Sequence, residues 1–186
     1  IYLSKKNDMK LKKFNAIIVA AGRGTRFKHS TPKQYIKIGT DNIIDININQ
    51  ILSHRLCDSV IVVLNKDFQK YYDCNKIKNR KLKFVIGRNS RQGSVLEGLK
   101  EIPKNNNSLI IHDAARPNPS KKLINEIINK LNYNHAVVPI IKTNDAAKRY
   151  EKDLIFKNIQ RSTLGFSQTP QGFTFSNIFE KHMEKN

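Results

Sequence analysis

Residues Ala16 to Arg26 read AIIVAAGRGTR, and this stretch decides the fold. Its first half is a short apolar run rich in β-branched residues, which is typical of a strand buried on both faces. Glycine-rich sequence follows at once and predicts a tight loop at the carboxyl end of that strand. Such a strand and loop are characteristic of α/β proteins, whose ligands bind beyond the carboxyl ends of parallel strands.

The rest of the chain continues this alternation of short strands and longer amphipathic segments. Further strands are predicted at 59–64, 82–86, 109–112 and 136–141. Helices are predicted at 43–52, 67–78, 91–101 and 120–131, and Ser90 is the predicted N-cap of the third. This order predicts an α/β, Rossmann-like fold: a mostly parallel sheet with helices on both faces.

Two segments stand apart from this alternation. Residues 1–14 are polar, basic and without periodicity, so we expect a disordered leader before a single domain at 15–186. Residues 142–160 are polar and charged with isolated apolar side chains, which favours a protruding β-arm. Its apolar residues can be buried only against another surface, and a neighbouring copy of the chain is the simplest one. We therefore expect a homodimer.

Composition excludes some classes of protein. The net charge is +19, but the basic residues are spread along the whole chain, which indicates a compositional bias rather than one patch. Such a charge attracts nucleotides and other polyanions. An RNA-binding domain would also be basic, yet Trp is absent and no aromatic RNA-binding motif is present. No apolar run is long enough for a membrane span, and two cysteines without metal-ligand spacing suit a reducing compartment.

The first of three loops with candidate functional residues begins at the end of the first strand. Its small residues, which let backbone N–H groups approach a phosphate, are Ala20, Ala21, Gly22 and Gly24. Arg26 and Lys33 add two cations near the same anion. A plain tight turn would explain the glycines alone, but the added cations and the Pro-Lys-Gln turn favour a phosphate site. The pattern is neither a dinucleotide fingerprint nor a P-loop.

The second loop, GRNSRQGS at 87–94, joins a strand to a helix N-terminus. Free backbone N–H groups and the helix dipole favour anions there. The residues predicted to contact a nucleotide are Arg88, Asn89, Arg91 and Ser94. Ser94 lies just inside the helix and can reach a base or ribose, whereas simple capping accounts for Ser90 whatever the function.

The third loop, HDAARP at 112–117, follows the strand at 109–112. An aspartate at a strand end facing phosphates is a natural Mg²⁺ ligand, so Asp113 is the predicted metal residue. Ala114 and Arg116 are predicted to contact the ligand, although an ion pair between Arg116 and Asp113 could equally shape the loop. His112 is expected to pack within its strand. No catalytic triad or Cys-His pair can be recognised from the spacing of these residues in the sequence, which disfavours hydrolases.

Four stretches, taken in order, resemble the 2-C-methyl-D-erythritol 4-phosphate cytidylyltransferases of non-mevalonate isoprenoid biosynthesis. They are VAAGRGTRF with TPKQY, GRNSRQGSV, IIHDAARP and QTPQGF, within Asn15 to about Phe179. The resemblance implies transfer of CMP from CTP to methylerythritol phosphate with Mg²⁺, by a homodimer in the bacterial cytoplasm or a plastid. A related pentitol-phosphate cytidylyltransferase and a sugar nucleotidyltransferase are the alternatives, and HDAARP favours the first interpretation over both.

By position, the resemblance assigns Arg26 and Lys33 to transition-state stabilisation at the α-phosphate of CTP. It places Arg161 against the second substrate and Thr169 near the active site, and it puts the cytosine and ribose beside Ala20, Ala21, Arg88, Asn89 and Ser94. Ala146 stands where the family has a threonine, which Thr143 could replace. QTPQGF is also similar to forms fused to a cyclodiphosphate synthase. The family continues past the position of Asn186, so we expect the C-terminal segment to be missing.

Overall fold

The computed structural model describes residues 12–24, 29–103 and 108–184. Its strands are β1 (Phe14–Ala20), β2 (Lys37–Ile38), β3 (Asp41–Asn42), β4 (Cys57–Leu64), β5 (Leu82–Ile86), β6 (Ser108–Asp113), β7 (Ala136–Val137), β8 (Ile140–Lys142), β9 (Ala147–Glu151), β10 (Leu154–Ile159), β11 (Gly165–Ser167) and β12 (Gln171–Thr174). Its α-helices are α1 (Ile43–Leu52), α2 (Arg91–Lys100), α3 (Lys121–Lys130) and α4 (Phe175–Met183). Short 3-10 helices cover Lys33–Tyr35, Lys66–Tyr71 and Arg161–Thr163.

The main sheet has the strand order β5-β4-β1-β6-β12-β7. Strands β5, β4, β1 and β6 are parallel, and β12 runs antiparallel to both of its neighbours. Along β1, Ile18 faces a core built with α1 and α3, while Ile17 faces a second core built with α2 and α4. Alternate residues of a strand point to opposite faces, so an apolar run is required where both faces are covered. The predicted mostly parallel sheet with helices on both faces is confirmed.

The helix predicted at 67–78 is wrong. A 3-10 helix ends at Tyr71, and beyond it the Asp73 side chain accepts a hydrogen bond from the Asn75 backbone N–H at 2.9 Å. This local bond offers the backbone an alternative to helical pairing. The aromatic residues of the segment instead form a cluster around Tyr35, made of Phe68, Tyr71 and Tyr72.

The single strand predicted at 136–141 is also wrong, because Pro139 divides it. Proline has no N–H to donate, so it interrupts a ladder. On one side of it, β7 pairs with β12 in the main sheet; on the other, β8 pairs with β11 in a separate two-stranded sheet. The chain therefore leaves the main sheet at this proline.

The predicted arm at 142–160 contains an antiparallel hairpin of β9 and β10. Its two-residue turn, Lys152 and Asp153, has positive φ at both positions, as in the turns that match strand twist. Four apolar side chains on the hairpin are between 57% and 73% exposed: Tyr150, Leu154, Ile155 and Phe156. The hairpin of β9 and β10 thus exposes apolar side chains to solvent in the single chain.

The start of the domain differs slightly from the prediction. Phe14, assigned to the leader, is the first residue of β1 and is fully buried, with its ring edge-on to His54. Its backbone N–H donates to the Leu56 carbonyl at 3.0 Å. Residue 14 therefore belongs to the sheet, and most of the predicted leader, residues 1–11, lies outside the described residues.

We expect the free energy of unfolding to fall as the pH drops through about 6.5, in part because of His54. Its ring is buried: Nδ1 accepts the Leu56 N–H, and Nε2 donates to Asn125 Oδ1 at 3.1 Å. Burial lowers the pKa of His54 below its ordinary value of 6.5. The unfolded chain therefore binds a proton that the folded chain resists, at no more than about 1.4 kcal/mol per pH unit.

Urea unfolding between about pH 8 and about pH 5 measures this dependence. His54→Gln should flatten the profile, whereas His135→Gln, at an exposed position, should leave it unchanged. An equally steep profile in the His54 variant would assign the dependence to other groups.

Candidate active site

A cavity of about 1110 Å³ lies where β1, β4, β5 and β6 end. The three predicted loops all border it. The residues predicted to act on a ligand that line this cavity are Ala21, Gly22, Gly24, Lys33, Arg88, Asn89, Arg91, Ser94, Asp113 and Arg116. Val19, Arg23, Gln34, Asn65, Ser90 and Ala115 also line it. Since these strands are parallel, their carboxyl ends and the following loops meet at one edge of the sheet.

Two amide side chains that were not among the predicted site residues hold the glycine-rich loop. Gln34 Nε2 donates to the carbonyl oxygens of Ala20 at 2.8 Å and Gly22 at 2.9 Å, and Asn65 Nδ2 donates to that of Ala21 at 3.1 Å. Ala20, predicted to contact the ligand, is buried and does not line the cavity; its carbonyl accepts the Gln34 amide instead. Gly24 has a φ of 62°, a conformation that glycine adopts without strain. Arg26 lies outside the described residues.

Lys33 reaches the cavity from the 3-10 helix at Lys33–Tyr35, whose other residues are buried. Tyr35 stacks on Tyr71 with ring centroids 6.1 Å apart, and burial raises the pKa of Tyr35 to about 12. Tyr71 in turn donates its hydroxyl to the Ser30 carbonyl at 3.3 Å. These contacts anchor the backbone that carries Lys33, so its long side chain projects from a fixed base.

Ser94 has a structural role in the second loop. Its Oγ accepts the Arg88 N–H at 3.1 Å and donates to the Arg88 carbonyl at 3.0 Å, and the residue is only 1% exposed. Gly87 makes this possible, because a Cβ there would lie 2.6 Å from Ser94 Oγ and 2.8 Å from Val63 Cγ1. Ser90 accepts the Gly93 N–H at 2.9 Å, which confirms the predicted cap. The contact of Ser94 with a base or ribose stays a prediction.

Asp113 lies between two arginines at the end of β6. Arg91 Nη2 is 3.1 Å from one carboxylate oxygen, and Arg116 Nε is 3.8 Å from the other. The ion pair predicted as an alternative role for Arg116 is therefore present. Arg116 also donates to the Gln168 side chain. All three charged groups still line the cavity, so they remain accessible to a ligand.

His112 and Thr169 hold the third loop in place through hydrogen bonds to its backbone. The buried His112 ring donates from Nε2 to the Arg116 carbonyl at 2.8 Å and accepts the Thr169 hydroxyl at Nδ1, 3.1 Å away. Thr169 Oγ1 in turn accepts the Asp113 N–H at 3.3 Å. Burial lowers the pKa of His112, which agrees with a neutral ring. Thr169 thus contacts the backbone of Asp113, and its direct contact with a ligand stays a prediction.

Four predicted residues of the described ranges do not line the cavity: Ala20 and Thr169, described above, and Ala114 and Arg161. Ala114 is fully buried beneath it, with its carbonyl bound by Asn47 Nδ2 at 2.8 Å, and Ala115 takes its place at the surface. Arg161 lies beyond the arm hairpin, where it donates to the Asn144 carbonyl at 3.2 Å. Within one chain, the described structure does not bring Arg161 to the cavity that contains Lys33.

The charge around the cavity favours an anionic ligand. Among the described residues, its lining includes five cationic side chains and one carboxylate: Arg23, Lys33, Arg88, Arg91, Arg116 and Asp113. No three His, Cys, Asp or Glu side chains in the described ranges come together as a metal cage. A lone carboxylate fits Mg²⁺ when phosphate oxygens supply most of the ligands, which is the ion's usual mode with nucleotides. The site therefore suits a polyphosphate with its metal.

The strand order, the glycine-rich loop after β1 and the cationic cavity define a fold of the nucleotide-diphospho-sugar transferase type. Residues 14–186 match the family model described as "IspD: 2-C-methyl-D-erythritol 4-phosphate cytidylyltransferase". The chain belongs to the IspD family. This confirms the family to which its sequence motifs pointed.

Similarity to individual proteins supports the assignment to the IspD family. The chain is 34% identical over 171 residues to the bifunctional enzyme IspD/IspF of Pelagibacter ubique, covering 91% of this chain and 45% of that one. It is 33% identical to the 2-C-methyl-D-erythritol 4-phosphate cytidylyltransferase of Clostridioides difficile, covering 91% and 73%. The solved 4-diphosphocytidyl-2C-methyl-D-erythritol synthase of Anaerococcus prevotii is 27% identical with a TM-score of 0.76, covering 94% and 75%.

The chain thus spans a little under half of the bifunctional relatives and about three quarters of the others. Among the described residues, no helix combines the length and the apolar character that a membrane crossing requires.

Proposed function

We propose that this chain transfers CMP from CTP to 2-C-methyl-D-erythritol 4-phosphate and releases pyrophosphate. The observation that carries the proposal is the convergence of three strand-end loops on one cationic cavity in a member of this family. A triphosphate carries enough negative charge to pair with several of the cations that line this cavity. The glycine-rich loop and the N-terminus of α2 add backbone N–H groups of the kind that bind phosphate.

The reaction needs no strong general base. A phosphate oxygen of the second substrate attacks the α-phosphorus of CTP, and the bond from that phosphorus to the bridging oxygen breaks, so that pyrophosphate leaves with the electron pair. The attacking phosphate is already ionised near neutral pH. Catalysis then depends on alignment and on neutralising charge, which Lys33 and the arginines of the cavity can provide. Asp113 would hold a Mg²⁺ that, when bound, shields the charge on the phosphate oxygens.

A pyrophosphate-release assay with CTP, Mg²⁺ and methylerythritol phosphate tests the proposal. We expect release with this pair and little release when UTP or ATP replaces CTP. Release only with a pentitol phosphate would identify the related cytidylyltransferase instead. Binding of a mixed RNA oligomer at physiological salt, without binding of CTP, would overturn the enzymatic interpretation.

Asp113→Asn is expected to raise the Mg²⁺ concentration that gives half-maximal activity by about tenfold or more, since an amide is a weaker ligand for this ion. The fold should persist, because the introduced amide oxygen can still accept a hydrogen bond from Arg91. Asp58→Asn is the matched control: this carboxylate pairs with Lys13 and does not line the cavity. An unchanged Mg²⁺ titration with full activity in the Asp113 variant would contradict the metal role.

We also propose that the working unit is a homodimer in which the hairpin of β9 and β10 packs against a second chain. Three further apolar side chains, on β8 and β11, are 58–63% exposed: Ile140, Ile141 and Phe166. Exposed apolar side chains such as those of the hairpin are poorly solvated by water, and a partner would cover them. The proposal also accounts for Arg161, which would then act in the partner's cavity.

Light scattering at micromolar concentration should give twice the chain mass of 21.4 kDa. Co-refolding inactive Lys33→Ala chains with inactive Arg161→Ala chains should restore part of the activity, because one site of a mixed dimer keeps both residues. Leu154→Ser with Phe156→Ser should favour the monomer. A monomeric mass with full activity, or no recovery in mixed dimers, would support a hairpin that serves only its own domain.

A further inference from the structure

We propose that Gln34 is a positioning residue, which turns the backbone of the glycine-rich loop so that its N–H groups face the phosphates. Its catalytic consequence rests on the proposed function. The Gln34 side chain is 4% exposed, and its Nε2 donates to two carbonyl oxygens, those of Ala20 and Gly22. A buried amide that binds two carbonyls of one short loop fixes the loop's orientation as well as its place.

Peptide geometry explains why this matters. In a planar trans peptide the carbonyl of one residue and the N–H of the next point in opposite directions. Holding the Ala20 and Gly22 carbonyls on Gln34 therefore directs the N–H groups of Ala21 and Arg23 away from Gln34. Ala21 and Arg23 both line the cavity. Phosphate-binding loops present successive N–H groups in this manner.

The same segment also sets the distance between this loop and Lys33. Gln34 and Lys33 are neighbours in one 3-10 helix, and the Tyr35 N–H closes that helix on the Pro32 carbonyl at 2.9 Å. The loop's N–H groups and the Lys33 ammonium are consequently positioned by one rigid unit. A small shift of either group relative to the other would misalign the charges meant for the α-phosphate.

Two substitutions separate hydrogen bonding from packing. Gln34→Met keeps the length of the side chain and removes both donors. Gln34→Glu keeps the shape, but its ionised form faces two carbonyl oxygens without a proton, whereas its protonated form regains one donor. Burial raises the pKa of a carboxyl group, so this protonation is expected to begin at a higher pH than it would for an exposed glutamate. Gln50→Glu is the matched control, since it adds the same charge on α1 outside the cavity lining.

We expect both Gln34 variants to fold and to lose about 10- to 100-fold in kcat near pH 8, with a smaller rise in KM for CTP. The activity of the Glu variant relative to the Met variant should rise as the pH is lowered, while the Gln50 variant follows the unmodified chain. Retention of kcat within about twofold by both folded variants, or a ratio that does not change with pH, would overturn the positioning role.

Amide NMR signals separate this outcome from a failure of the proposed function. The signals of Ala21, Gly22 and Arg23 should move in both Gln34 variants, and those of the Gln50 variant should not. If the unmodified chain releases no pyrophosphate, the proposed function fails. Shifted loop signals would then still support the role of Gln34 in positioning the loop backbone. Unmoved loop signals would overturn it whatever the activity.

Discussion

Lys33→Ala is expected to lower turnover by about 10²–10³-fold, equivalent to about 2.7–4 kcal/mol, and to change the affinity for CTP much less. The Lys33 side chain extends from an anchored 3-10 helix into a cavity rich in cations. Its cationic neighbours there would already neutralise much of the charge on CTP in the proposed complex. The additional charge that develops at the α-phosphate during transfer is what a fixed ammonium stabilises best.

Steady-state kinetics with CTP varied, together with CTP binding measured by calorimetry, test this expectation. Lys37→Ala is the matched control, because Lys37 is an exposed lysine of the same stretch that does not line the cavity. Turnover reduced less than about tenfold with a collapse of CTP affinity would limit Lys33 to ground-state binding.

Gly172→Ala is expected to destabilise the fold by about 3 kcal/mol, the upper part of the range for overpacking. Gly172 lies in β12, where a Cβ would be 2.2 Å from Ile127 Cγ2 and 3.1 Å from Leu131 Cδ1. Both contacts belong to the side of the sheet on which α3 packs, so the helix or the strand must shift. In a chain of this size that corresponds to a fall of about 6–12 °C in Tm.

A double-mutant cycle with Ile127→Ala identifies the cause. That substitution alone leaves a cavity and costs about 2–5 kcal/mol. The methyl group that Gly172→Ala adds would fill part of that space, so the double variant should be less destabilised than the sum of the two single variants. Additive effects, or a thermal midpoint for Gly172→Ala equal to that of the unmodified chain, would contradict the close packing.

Elements whose own residues determine their structure could be predicted from the sequence. β1, β4, β5 and β6 are apolar β-branched runs, and α1 and α2 carry strong periodicity or a cap. The segment 67–78 could not, because its local Asp73–Asn75 hydrogen bond and the tertiary packing of its aromatic residues around Tyr35 override its helical pattern. β12 was missed for a similar reason: QGFT has little strand character by itself, and pairing with β6 makes it a strand.

The candidate site shows the same division. The phosphate-binding roles of the glycines and cations in the loops after strands could be predicted from the sequence, because their chemistry is local to each loop. The roles of Gln34, Asn65 and His112 were not, because each bonds to backbone more than three residues away or across strands. An amide beside a predicted catalytic lysine was the available signal for Gln34. In the proposed homodimer, the placement of Arg161 would depend on the arm and on a second chain, which no pattern within one loop specifies.

The interruption of the sheet at Pro139 separates two levels of stability in one chain. The main sheet can retain its hydrogen bonds while the pair β8–β11 and the hairpin of β9 and β10 open, because no ladder joins them to it among the described strands. Local opening of the hairpin then requires little more than the exposure of its own strand pair. Backbone amides of the hairpin should exchange with solvent far faster than those of β1. If the hairpin packs in the proposed homodimer, their protection should grow as the protein concentration rises. Limited proteolysis of the dilute protein would accordingly begin between residues 143 and 160. The main sheet and the cavity at its edge would remain folded.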